Sequence, residues 1–148
     1  MQEESEWNVT QPPLMHPSMD RKSTALLNAL QLAYMGDAVW ETLIRTWLIE
    51  RKMNVHHMHL ECVRRVNASA QASALKVIRD TLSEAEHEIV QRGRNAHAKH
   101  PSPKNQDPAD YAEATGFEAL IGFLYLTGQQ ERLREIRDCV LNANDRAI

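Results

Sequence analysis

The chain has 148 residues, 43% of them hydrophobic and 25% charged, with a net charge of −3. That length suits one domain with a buried core. No apolar run approaches the ~20 residues that a membrane-spanning helix needs, so no membrane association is expected. The acidic, polar start "MQEESEWNV" lacks the basic and apolar regions of a secretory signal. Cys62 and Cys139 have no metal-type spacing and read as reduced thiols of a cytoplasmic protein. Ala, Leu, Glu, Gln and Arg dominate and only five Gly are present, which predicts an all-α fold.

Residues 1–22 form a polar arm punctuated by proline ("TQPPLMHPSMD"), expected to be extended or mobile. Residues 23–148 are read as one domain of about six helices. The first is predicted over about Ser23 to Arg51, with apolar residues recurring at helical spacing. A second covers roughly Val55 to Val66 and a third about Ala68 to Leu82. "SEAE" matches a capping box, Ser83 as N-cap and Glu86 at N3, and opens a fourth helix that is expected to end near Gly93. Then comes a basic loop. Asp107 as N-cap and Pro108 at N1 start the fifth helix, which stops at Gly128. The last spans about Gln130 to Asn142.

Three stretches carry chemistry. In "AYMGDAVWE", Gly36 costs about 1 kcal/mol against Ala in a helix interior, and Asp37 is also a poor helix former. Asp37 and Glu41 share one face as an i,i+4 pair. In "TGFEALIGFLYL", Glu118 is a carboxylate nearly alone among apolar residues, with no Arg or Lys three or four positions away. A bare buried carboxylate must find a partner. Buried salt bridges are one reading, and Arg45 stands four after Glu41. The sharper alternative is a divalent cation such as Mg²⁺, which uses a few carboxylates and keeps several waters. A third reading is that these acids are simply not buried. From Gln91 to Lys104 the chain holds Arg92, Arg94, Lys99 and Lys104 and no acid; such a segment is either a solvated loop or an electrostatic footprint on an otherwise acidic protein. The histidines at 56, 57 and 59 read as a surface cluster rather than a zinc site.

"LAYMGDAVWE" resembles the signature helix of ribonuclease III catalytic domains, and "ATGFEALIGFLYLTG" resembles their second acidic helix. Order and separation match as well. Glu41 after "GDAVW", "GRNA" at Gly93–Ala96 and the Pro-Lys-Asn at Pro103–Asn105 look like the compact branch of that family. The resemblance covers about Leu26 to Leu133. It implies a homodimeric all-α endonuclease that cuts double-stranded RNA with Mg²⁺, Mn²⁺ being a possible substitute, acting on the 23S ribosomal RNA precursor. It further implies that Asp37 and Glu118 are the catalytic metal ligands. Glu41 would bind a metal water or orient Arg45. Arg92, Arg94, Lys99 and Lys104 would meet phosphates, and Asn95 and Asn105 would meet 2′-hydroxyls. No separate double-stranded RNA-binding domain is expected. Ala33 and Thr115 depart from the Glu and Asp of the larger enzymes, which leaves fewer carboxylates in the site, and Ala112 departs from an expected Arg, so that one RNA contact is either missing or replaced. The dimer surface is expected on the signature helix, including Trp40 and Leu43. The rival functions are a non-catalytic RNA-binding module of the same fold and an all-α Mg²⁺-dependent nucleotide pyrophosphatase.

Overall fold

The structure, a computed structural model, describes residues 15–97 and 104–146. Among these, every regular element is helical: α1 (Arg21–Ala25), α2 (Ala29–Glu50), α3 (Val55–Val66), α4 (Ala68–Ile78), a 3₁₀ turn (Arg79–Thr81), α5 (Glu84–His97), α6 (Pro108–Leu126) and α7 (Gln130–Arg146). The expected first helix is two. Asn28 caps α2, accepting from the Leu30 amide at 2.8 Å, while Gln31 returns a bond to the Asn28 amide. That reciprocal cap fixes a new start and ends the preceding turn. The carbonyls left free at the break, of Ala25 and Leu27, accept from the Arg92 guanidinium.

Other boundaries follow local chemistry. Asn67 ends α3 and caps α4: its amide nitrogen donates to the Val63 carbonyl and its oxygen accepts from the Ala70 amide at 2.8 Å. The Ser83–Glu86 capping box is present in both directions. Asp107 caps α6 through the Ala109 amide with Pro108 in the first turn. By contrast, α5 does not stop near Gly93 but runs on to His97. Gly93 is a packing glycine: a Cβ there would lie 2.7 Å from the Gly116 Cα. Arg94 and Asn95 therefore stand on a helix and not on a loop. Of the polar arm, residues 15–22 are described: Arg21 and Lys22 are not extended but open α1, and the Met19 amide donates to the Leu126 carbonyl, so this part is stitched to the end of α6. Gly128, at φ +73°, leaves room for the Pro17 carbonyl.

Helix α6 is the axis of the core. Its residues from Ala114 to Leu124 are buried except Glu118, and α2, α4 and α5 lie against it. A helix apolar all round is stable only when covered on every side. Trp40 of α2 meets Phe117 edge-on with ring centroids 4.9 Å apart, a favoured aromatic geometry. Trp40 is 1% exposed; it belongs to the core and cannot form the dimer surface expected of it. Leu43 is also partly buried against the core. Between α5 and α7, Arg132 clasps the buried Glu86, its Nε lying 2.8 Å from Oε2, and also donates to the Thr81 carbonyl.

Candidate active site

Helices α2 and α6 cross backbone to backbone. A Cβ on Gly36 would fall 1.7 Å from the Glu118 carbonyl oxygen, and one on Gly122 would fall 1.9 Å from the Leu32 carbonyl oxygen. Only glycine at both positions permits this approach. The crossing sets Asp37, next in chain to Gly36, beside Glu118, one turn before Gly122. Burial raises the Glu118 pKa and the Asp37 charge adds to it, while the Gln71 amide beside the carboxyl opposes the rise; the result is about 8. Asp37 lies at the exposed rim, and partial burial, then the charge of Glu41, raises its pKa as well. Two like charges and a partly dry environment disfavour ionisation of both.

Of the three readings, the unburied one holds for Asp37, which is exposed, but not for Glu118, and salt bridges do not serve this pair. Among the described residues, no Arg, Lys or His forms an ion pair with Asp37 or Glu118. Two coupled carboxylates without a cation fit a hard divalent ion that accepts oxygen ligands and completes its shell with water. They do not form a closed cage: among the described residues no three His, Cys, Asp or Glu side chains gather to hold a metal. Glu41 points its carboxylate to Arg45 at 3.2 Å, with the Cys62 thiol 4.0 Å away. Ala33 and Thr115 are buried, and the Thr115 hydroxyl donates to the Tyr111 carbonyl at 2.9 Å.

The basic segment divides. Arg92 is half-buried and committed to the Ala25 and Leu27 carbonyls; this holds α5 to the α1–α2 break and takes the guanidinium away from any phosphate. Arg94 Nε lies 2.8 Å from Glu113, whose other oxygen binds Arg79 at 2.8 Å. Asn95 accepts from the Gln91 side chain at 3.0 Å. Lys104 and Asn105 are exposed, and Asn105 has a φ of +74°, tolerable for Asn. Lys99 lies outside the described residues.

Two participants carry little sequence signal. The Arg79–Glu113–Arg94 bridge links residues far apart in the chain. Gln71, inside "ASAQASALKVI", is 1% exposed. Its Nε2 donates to the Val66 carbonyl at 3.1 Å, its side chain is a partner of Glu118, and its Oε1 has no hydrogen-bond partner among the described residues. An unmatched buried acceptor costs roughly 1–3 kcal/mol. The only hint in the sequence is a polar residue in an Ala-rich helix.

Comparison with known proteins matches residues 30–129 to the Ribonuclease III domain. The Mini-ribonuclease 3 of Symbiobacterium thermophilum is 50% identical over 111 residues, covering 74% of this chain and 85% of that protein. The Mini-ribonuclease 3 of Thermoanaerobacter sp. is 44% identical over 119 residues, 80% of this chain and 83% of that protein. The crystal structure of protein FN1578 from Fusobacterium nucleatum superposes with a TM-score of 0.73 at 30% identity, over 80% of this chain and 95% of that one.

Proposed function

This chain belongs to the ribonuclease III family and is an endoribonuclease of the Mini-ribonuclease 3 kind; from that premise we propose that it cleaves double-stranded RNA with Mg²⁺ held by Asp37 and Glu118. The observation that carries this is the coupled, cation-free acid pair at the glycine crossing of α2 and α6. A divalent ion bound there supplies an activated water and charge neutralisation at a scissile phosphate. Asp37 at the rim and Glu118 behind it present oxygens from two rigid helices, so their spacing is set before RNA arrives. Gly36 and Gly122 hold that spacing by admitting no side chain between the helices. The products would carry 5′-phosphates and 3′-hydroxyls.

Glu41 orients Arg45, and Arg45, exposed on the same helix, meets the duplex backbone. Lys104, Lys99 and Arg94 meet further phosphates; Asn95 and Asn105 reach 2′-hydroxyls across the shallow minor groove. The folded region, which includes α1 from Arg21 and the residues stitched to α6 before it, is the catalytic domain. It acts as a homodimer, one site per strand, related by a two-fold axis. In place of Trp40, the exposed Tyr34, Ile49 and Val55 supply the apolar surface, the latter two at the mouth of a cavity of about 230 Å³ between α2 and α3. The natural substrate is the 23S ribosomal RNA precursor, processed in the cytoplasm. Among the described residues no helix is long and apolar enough to cross a membrane. The deciding experiment incubates the protein with a long RNA duplex, with and without Mg²⁺, beside Asp37→Asn. Mg²⁺-dependent cleavage lost in the variant supports the reading; metal-independent cleavage, or an active folded variant, overturns it.

A further inference from the structure

Gln71 has an arrangement that core packing alone does not explain. It is closed to solvent, yet it is polar and its acceptor oxygen is unmatched among the described residues. Its orientation is not free. The Val66 carbonyl can only accept, so the amide nitrogen must face it, which decides which end of the amide is nitrogen. Val66 is the last residue of α3, and Gln71 stands in the second turn of α4, just after the Asn67 cap. The capped junction therefore aims this amide. A second N–H remains on the same nitrogen, and the side chain meets Glu118 of α6. One amide thus joins the end of α3 to the acid on the central helix. A Met or Leu would fill the same volume but would take the donor from the Val66 carbonyl and the polar group from beside Glu118.

We infer that Gln71 is a positioning residue for Glu118: anchored on the Val66 carbonyl, its amide holds the carboxylate in the orientation that receives the metal. This rests on the assignment of Asp37 and Glu118 as metal ligands. Among the described residues no cation pairs with Glu118 to fix its orientation. Partners behind a ligand that set its orientation typically change metal affinity or activity 10–100-fold when removed.

The test uses the full-length protein and Gln71→Met, which keeps the length of the side chain and removes the amide. Mn²⁺ binding is measured without RNA by electron paramagnetic resonance, followed by kcat and KM on a duplex and by melting temperature. The expected result is Mn²⁺ affinity weakened by about 10-fold or more, kcat lowered about 10–100-fold, KM within about twofold of the parent, and helical content retained. Parent Mn²⁺ affinity and parent kcat in a folded Gln71→Met protein overturn the inference. If that variant loses its helical content, Gln71→Asn decides instead: it keeps an amide, but one methylene too short to span Val66 and Glu118. Folded Gln71→Asn should show the same loss of Mn²⁺ affinity, and parent affinity there overturns the inference equally. Asp37→Asn runs alongside. If it binds Mn²⁺ as the parent does, the acid-pair reading has failed; if it loses Mn²⁺ while Gln71→Met does not, only the role of Gln71 has failed.

Discussion

Gly36 and Gly122 meet across the α2–α6 crossing so closely that a Cβ on either would lie 2.9–3.0 Å from the backbone nitrogen of the other. Each also presses on a carbonyl of the facing helix, of Glu118 and Leu32 respectively. Gly36→Ala or Gly122→Ala must therefore push two backbones apart, because no flexible side chain can give way. Each should destabilise the fold by about 3 kcal/mol or more, the upper end of overpacking, and reduce cleavage even below the melting temperature by separating Asp37 from Glu118. Thermal melting and single-turnover cleavage check this. Parent stability in Gly36→Ala would mean that the helices do not cross this closely.

Asp37→Asn and Glu118→Gln keep side-chain size and remove the charge that a hard cation needs. Each should lower cleavage by more than the ~100-fold typical of an outer partner, while duplex binding persists. Melting temperatures should be unchanged or higher, because an unpaired carboxylate in a partly dry site has gone. A stability loss of about 3–5 kcal/mol would instead indicate a broken ion pair.

The pH dependence of the metal-free protein has a defined sign. With a folded pKa of about 8 against an ordinary 4.5, Glu118 holds a proton in the folded chain that the unfolded chain has released. Folding is thus favoured at low pH, and this contribution is lost as pH rises from about 4.5 through 8. Its size is on the order of a few kcal/mol at most. Melting in EDTA should fall over that range, and Glu118→Gln should flatten the profile. Because metal displaces the proton, the Mg²⁺ concentration for half-maximal cleavage should fall as pH rises from 6 to 8.

The cationic residues separate by role. Lys104→Ala should weaken duplex binding and lower the slope of log affinity against log salt by about one unit. Arg92→Ala should leave the salt slope alone and lower stability by about 1.5–3 kcal/mol, since its bonds go to the Ala25 and Leu27 carbonyls. Binding titrations at several salt concentrations, with melts of the same samples, tell the two apart. A lowered salt slope in Arg92→Ala would return that residue to the RNA surface.

The parent should sediment at about twice its chain mass of 16.9 kDa. An Ile49→Asp, Val55→Asp double variant places charge on the exposed apolar surface and should sediment as a monomer with helical content intact. A parent that is monomeric at micromolar concentration and still cuts both strands contradicts the dimer.

The sequence alone determined the helical class, the caps at Ser83 and Asp107, and the placing of Asp37 and Glu118 within helices. These features are local: a capping box is read from residues three apart, and an Asp beside a Gly within a helix is conspicuous because it breaks a propensity rule. Tertiary structure decided what depends on approach between distant segments. Gly93 looks like a helix end, and only its contact with Gly116 makes it an interior packing position. Arg92 looks like a phosphate ligand until the α1–α2 break offers it two carbonyls. Trp40 looks available to a partner until Phe117 covers it. Gln71 stands 47 positions before Glu118 in the chain, and no periodicity links them. Propensity and capping act within a turn or two of helix, whereas the orientation of the site is set by which surfaces exclude water together, and that is a property of the packed helices alone.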